Sequence, residues 1–342
     1  MPFAELQLPT RLLAGGGPGS PDPLVLRALA TPLIGQFDPE FTAIMDDVVQ
    51  LARATFLTDN ARCFAVSGLA SAGLEAVLNS VLEVGTPLAV LGGPGFVAST
   101  ADMARRYGGH VVAFDEARFV VVPFIDPASG NVIQVHELAA ACHAQHAGLI
   151  VDATFGLAAT ELRVDAWNID ACIAGVDYAI GAPPGMALVT YSAGIEHLML
   201  NRNKPPTTSY LDLVQLQAYW SPERLNHHTA PTSLVYGLRE ALRLVHEEGL
   251  EARWNRHQRI GELLRKGLEQ QGLHPEGAAP FAVIHLTPTI DEPEARQRLL
   301  DDFGIYVTLV APRRWRLGLL GFDARPDAVH RVLTALEKVL AT

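Results

Sequence analysis

Residues 170–192 read DACIAGVDYAIGAPPGMALVTYS. Two apolar runs, ACIAG and MALVTY, are separated by a polar break at Asp177 and Tyr178 and by a Pro-Pro-Gly turn. Runs that are apolar on both faces belong to strands covered on both sides, and Pro-Gly favours a tight reversal between them. The stretch is therefore a pair of buried strands with two ionisable side chains at their junction. Toward the N-terminus the texture alternates. ARCFAVSG (61–68), PLAVLGG (87–93), HVVAF (110–114), FVVVPFI (119–125) and GLIVDATF (148–155) have strand character. SAGLEAVLNSVLEVG (71–85), FVASTADMARRYG (96–108) and VHELAAACHAQH (135–146) have helical character. Strands alternating with helices predict a parallel or mixed sheet covered on both faces.

Farther out, the Gly/Pro-rich LLAGGGPGSPDP (12–23) marks an extended N-terminal arm. Residues 39–57 have helical periodicity, with Asp38 placed to cap the helix and Pro39 at its first position. Toward the C-terminus the texture changes after residue 235. Residues 233–272 form a long amphipathic helical region interrupted near Gly249. FAVIHLTP (281–288), EPEARQRLLDDFG (292–304), IYVTLV (305–310), RRWRLGL (313–319) and residues 325–342 then spell a small α+β unit. The expected division is an arm plus large domain over 1–240 and a small domain over 241–342.

The chain has 342 residues, 49% of them hydrophobic, enough for a large core. A net charge of −11, with no Lys/Arg-rich segment, argues against nucleic acid or an anionic membrane as partner. No signal peptide or membrane-spanning run stands out, so a cytoplasmic protein is the expectation. Cys63, Cys142 and Cys172 are too few and too irregularly spaced for a disulfide framework. His143 and His146, at i, i+3 in CHAQH, have no acidic third ligand nearby, so no metal site is expected.

The segments LLAGGGPGS, PLIGQFDPEF, VSGLASAGLEA, MARRYG, LIVDATFGL, GAPPG, YLDL, NHHTAPTSLVYGLREALRLVHEEGLEARWNRH and WRLGLLGFDARPDAV occur in that order. Together they resemble the class V aminotransferases, of the alanine–glyoxylate/serine–pyruvate type. The resemblance spans nearly the whole chain. It implies the fold-type I architecture of pyridoxal-phosphate enzymes: a mostly parallel, seven-stranded-type sheet in a large domain plus a small C-terminal α+β domain. It also implies a homodimer.

Carried over position by position, the resemblance makes Asp152 the partner of the cofactor's pyridinium nitrogen, where a carboxylate improves the ring as an electron sink. Phe96 matches the aromatic that stacks on the ring. Ser67 and Gly68 open the turn whose amides hold the phosphate. Ser129 persists in an otherwise altered substrate loop, PFIDPASG (123–130). Arg316 matches the arginine that grips the substrate α-carboxylate with two coplanar donors. His228 and Thr229, in NHHTAP (226–231), match the loop that reaches into the neighbouring subunit's site.

The same resemblance exposes departures. Family members read Ser-Gly-Ser-Gln-Lys where this chain reads AGVDY (174–178). Tyr178 stands where the Schiff-base lysine is expected, and a phenol cannot form that bond. Asp177 replaces a phosphate donor; at about 4 Å and an effective dielectric of 20 each like-charge pair costs roughly 4 kcal/mol. Val176 and Leu69 replace two further donors. The chain has only three lysines: Lys204 matches a family position near the entrance and not beneath the ring, and Lys266 and Lys338 fall on surface-type helical patterns. Covalent pyridoxal phosphate is therefore not expected; it, or its amine form, binds non-covalently if at all. Three readings stay open. One is a divergent enzyme that binds a small carboxylate and uses Tyr178 as acid or base. Another is a non-catalytic pseudoenzyme, or a pseudo-subunit paired with an active aminotransferase. The third is an ordinary transaminase with an unrecognised lysine.

Overall fold

The computed structural model describes residues 6–340. The arm carries β1 (Leu12–Leu13) and leads into α1 (Pro23–Leu29) and α2 (Pro39–Phe56). Asp38 caps α2 by accepting from the Glu40 N–H at 2.9 Å, with Pro39 in the first turn. The alternating region follows as β2 (Cys63–Ser67), α3 (Ala70–Val81), β3 (Thr86–Val90), α4 (Pro94–Arg106), β4 (Gly109–Val111), β5 (Phe119–Pro123), α5 (Val135–Ala144), β6 (Gly148–Asp152), β7 (Ala171–Gly175) and β8 (Met186–Tyr191). These strands make one seven-stranded sheet in the order β2-β8-β7-β6-β5-β3-β4. β8 runs antiparallel to both neighbours and the other pairs are parallel. The run that opened the sequence reading supplies β7, the Tyr178 turn and β8.

Next come α6 (Ala193–Leu200), α7 (Leu213–Trp220), α8 (Thr232–Glu248) and α9 (Leu250–Gln270), with the last two broken at Gly249. β9 (Phe281–His285), α10 (Glu292–Phe303), β10 (Ile305–Tyr306), β11 (Thr308–Ala311), β12 (Arg314–Gly318) and α11 (Pro326–Leu340) complete the chain. A three-stranded antiparallel sheet, β11-β12-β9, buries Trp315 and Leu317 among the helices. The apolar run 305–310 is not one strand. Its first part, β10, pairs in parallel with β1 of the arm, and its second part, β11, pairs with β12. Leu12 and Ala14 of the arm thus pack in the C-terminal core.

One helical expectation is corrected. α5 ends at Ala144 and His146 adopts a positive φ of 63°, so His143 and His146 do not share a helical face. His143 Nε2 instead meets Asp170 Oδ2 at 2.8 Å. All three cysteines are buried and free. No described helix is long and apolar enough to cross a membrane.

The parallel strands β3, β5, β6 and β7 end at Val90, Pro123, Asp152 and Gly175, on one edge of the sheet. Loops leaving that edge carry Ser129, Phe155 and Tyr178, and the first turn of α4, which follows β3, carries Phe96. In open α/β sheets the crevice outside the carboxyl ends of the strands is where ligands bind.

Candidate functional site

Tyr178 heads the turn directly after β7. Its ring lies 4.7 Å, centroid to centroid, from that of Phe155, which follows β6. The arm closes over the other side. A Cβ on Gly17, where φ is +121°, would sit 2.0 Å from Tyr178 Cε1, so only glycine lets the backbone pass this close. The turn itself is held from three directions. Gly19 N–H donates to the Asp177 carbonyl at 2.8 Å, Gly181 N–H donates to the Tyr178 carbonyl at 3.1 Å, and Arg253 Nη2 donates to the Ala179 carbonyl. Burial pushes the Tyr178 hydroxyl up to about 12; the charges of Asp177 and Asp152 add to this and Arg316 opposes it. The phenol is therefore neutral near neutral pH.

Arg316, on β12, is 5% exposed and lies over the Phe155 ring at 4.6 Å. Its Nε donates to the Gly15 carbonyl at 3.0 Å and its Nη1 to the Pro127 carbonyl at 2.6 Å. Two of its five N–H donors are thus used to hold the guanidinium in place, and its outer edge retains the geometry for a carboxylate. Asp152 ends β6. Thr154 N–H donates to its Oδ1 at 2.9 Å, and Thr154 Oγ1 accepts from Gly175 N–H at 3.0 Å, tying the ends of β6 and β7 together. Burial raises the Asp152 carboxyl, with the Thr154 hydrogen bonds opposing it.

Ser67 ends β2, and Gly68 follows with its N–H donating to the Gly185 carbonyl at 2.8 Å. Leu69 stands at the N-cap of α3, offers no side-chain cap and is 53% exposed. Asp177 approaches this helix end. A Cβ on Gly175 would lie 3.0 Å from Asp177 Oδ1 and 3.1 Å from the Cβ of Ala70, the first residue of α3. Phe96 sits in the first turn of α4, half-buried against the large core, and stacks on no other described ring.

Sequence reasoning passed over Asp126. Its Oδ2 accepts from Gly93 N–H at 2.6 Å, its Oδ1 from Ser129 N–H at 2.7 Å and from the Ser129 hydroxyl at 2.9 Å. Burial would raise this carboxyl, but the donors from Ser129, Gly93 and Ala128 outweigh it and hold it below its ordinary value. Ser129 Oγ also accepts from Asn131 N–H at 3.3 Å. The hydroxyl assigned to substrate is committed within its own loop, so Ser129 shapes the loop. The signal was present as an Asp three residues before Ser in DPAS, an Asx-turn pattern.

His228 is stacked on Tyr210, with ring centroids 5.1 Å apart, and its Nε2 is buried without a partner among the described residues. Thr229 beside it is exposed. Neither contacts Tyr178 within the described chain. The lysines lie elsewhere. Lys204 lines a cleft with Thr86, Pro87 and Arg118, at the opposite edge of the sheet from Asp152. Lys266 is exposed on α9, and Lys338 is exposed on α11 over the Phe303 ring at 5.9 Å.

Comparison with known proteins follows the same geometry. A model of the family described as Aminotransferase class-V matches residues 110–307. The (S)-ureidoglycine–glyoxylate transaminase of Bacillus subtilis is 34% identical, over 98% of this chain and 92% of its own length. The crystal structure of the Bacillus subtilis ureidoglycine–glyoxylate aminotransferase superposes with a TM-score of 0.93 at 35% identity, covering 99% of this chain and 95% of that one. An alanine–glyoxylate aminotransferase from Nostoc sp. superposes with a TM-score of 0.94 at 30% identity, covering 99% and 98%.

Proposed function

This chain belongs to the class V aminotransferase family, and from that premise we propose that it binds a small 2-oxo or 2-amino carboxylate without forming a Schiff base. Arg316 takes the carboxylate, and the neutral phenol of Tyr178 is the hydrogen-bond and proton donor. The observation that carries this reading is the position of Tyr178 at the head of the β7 turn, between Phe155 and the arm, with every lysine on another surface. The names of the similar proteins share glyoxylate, a two-carbon 2-oxo acid, which sets the ligand size we expect.

The residues present do not fit covalently held pyridoxal phosphate. There is no amine at 178, Asp177 approaches the helix end where a phosphate would need donors, and Leu69 supplies none. No step is therefore routed through that group. What the chain itself supplies is a fixed guanidinium for a carboxylate and, next to it, a donor for an oxygen that gathers negative charge. With its hydroxyl pushed up to about 12, Tyr178 serves as acid and not as base.

A second reading, a non-catalytic pseudoenzyme or a pseudo-subunit of an active aminotransferase, is favoured by the closure of the arm over Tyr178 and by the use of Nε and Nη1 of Arg316 on backbone carbonyls. In either case we expect a second copy, or a related subunit, to dock on the surface around residues 226–231. There Tyr210, Phe37, Leu33 and Leu225 are all exposed.

The test is to incubate the protein with pyridoxal phosphate, reduce with borohydride and measure intact mass. We expect no adduct at residues 152–185 and no turnover of alanine with glyoxylate. A stoichiometric adduct at one of the three lysines, with turnover, would return the chain to ordinary transamination. Conversion of a 2-oxo acid that is lost in Tyr178→Phe distinguishes the enzyme from the pseudoenzyme.

A further inference from the structure

We infer that the end of the site bounded by α3 receives an amide-type group and turns phosphate away, and that Asp177 is the residue that determines this preference. The inference rests on the carboxylate reading above for the other end of the ligand.

Asp177 is 8% exposed, and no other described residue donates to its carboxylate. Its Oδ1 and the Cβ of Ala70, the first residue of α3, lie 3.0 and 3.1 Å from where a Gly175 Cβ would be, with Thr154 Cγ2 at 3.1 Å from the same point. α3 runs twelve residues, and its N-cap Leu69 makes no side-chain hydrogen bond. The first N–H groups of a helix have no acceptor in the preceding turn; in α3 Ala72 N–H donates to the Leu69 carbonyl at 2.8 Å, which leaves the N–H groups of Ala70 and Ser71 directed at whatever lies before the helix. The acceptor therefore stands next to the residue that opens the helix. An amide complements both, its carbonyl taking the helix N–H groups and its own N–H groups meeting the carboxylate. A phosphate brings only acceptors and two negative charges, and a buried carboxylate beside it is unfavourable. Burial raises the Asp177 carboxyl, and the residue's own backbone N–H, which opposes that rise, is the donor it has within the protein.

A plainer role is possible for the same group: a carboxylate near a helix N-terminus stabilises the helix by itself. That role predicts a change in stability and no change in ligand preference. The two are separated with succinamate and 3-phosphonopropionate, which share a carboxylate and a two-carbon spacer and differ only at the far end.

By calorimetry near neutral pH, the unmodified protein should bind succinamate at least about tenfold more tightly than 3-phosphonopropionate. In Asp177→Asn and Asp177→Gln the gap should close by about tenfold or more, through tighter phosphonate binding. Preference of the unmodified protein for the phosphonate would overturn the inference. So would an unchanged ratio in variants that melt cooperatively; if neither variant folds, the unmodified protein's preference decides alone. Arg316→Met tests the reading beneath it. Loss of both ligands in that variant supports the carboxylate site whatever their rank order, whereas a retained rank order with undiminished affinity sinks the carboxylate reading and leaves the role of Asp177 standing. Binding of neither ligand at millimolar concentration overturns both.

Discussion

A phenol pushed up to about 12 constrains what Tyr178 can do. Near pH 7 only about one such group in 10⁵ is ionised, so a base role would forfeit most of its potency, whereas the acid form is fully populated. Any activity that depends on Tyr178 should therefore be flat with pH through the neutral range. Tyr178→Phe should lower it by roughly 10²–10⁴-fold, while leaving carboxylate binding at Arg316 within a few-fold. A steady-state pH profile and a titration calorimetry series check both halves; a variant that loses binding and turnover equally would make Tyr178 a structural residue. The same shift carries a stability consequence. Its hydroxyl is raised above the ordinary value of 10, so the contribution is present below pH 10 and is lost as pH rises through about 12. At this scale much of the candidate site was legible, because Tyr178, Arg316 and Asp152 sit in motifs whose order and spacing are readable. Asp126 was not. Its importance arises from a contact with Gly93, 33 positions away, that no local pattern encodes.

Elements determine whether those residues stay in place, and α9 bears most on the Tyr178 turn. Arg253, buried on α9, pairs with Glu248 at 2.6 Å and reaches the Ala179 carbonyl. One turn on, His257 Nδ1 lies 2.8 Å from the Arg253 carbonyl and its Nε2 accepts from Gly321 N–H at 3.0 Å. These contacts assign the neutral ring with its proton on Nδ1, since a second proton on Nε2 would face another N–H. Burial, with the charges of Arg253 and Arg256, pushes this imidazole down to about 3. Because the folded value lies below the ordinary 6.5, the stability contribution is present above pH 6.5 and is lost as pH falls toward about 3. His257→Leu should cost roughly 1–3 kcal/mol by leaving the buried Gly321 N–H unpaired. It should also flatten the acid limb of the stability curve. Chemical denaturation at several pH values tests this; an acid limb as steep as in the unmodified protein would assign the lability to other groups. Long periodic elements such as α2 and α9 were readable from sequence. The short α1, α6 and α7 were passed over because eight or fewer residues carry too few turns to declare a period. The split of 305–310 between two sheets was hidden because the partner of β10 is the arm, nearly 300 residues earlier.

On the scale of the whole molecule, the surface around residues 226–231 combines exposed apolar side chains with an unpartnered buried ring nitrogen. Phe37 packs edge-on against Tyr219 at 6.2 Å, Tyr219 lies 6.3 Å from His228, and His228 stacks on Tyr210. Gln36 clamps the loop by donating to Asn226 Oδ1 at 3.0 Å and accepting from Ala230 N–H at 2.7 Å. The loop is thus tied to the segment bearing Leu33 and Phe37, and large apolar side chains at 33, 37, 210 and 225 face outward together. Exposed apolar side chains tied to one loop on a chain with a net charge of −11 make this surface the candidate interface, since isolated exposed apolar residues need no explanation. His228 adds to the case, because a buried ring nitrogen without a partner is a cost that a donor or acceptor from outside would remove. We therefore expect a dimer at micromolar concentration, joined through this surface. Replacing Phe37 and Leu225 together with Glu places two charges in its centre, where burial without a partner is strongly unfavourable. Light scattering should then report monomers, while the far-UV circular dichroism stays unchanged because neither side chain belongs to the core. Comparing carboxylate binding in that monomer separates two roles of the loop. Retained affinity would make each chain's site complete by itself, and loss of affinity with an intact fold would mean that the loop of one copy finishes the site of the other.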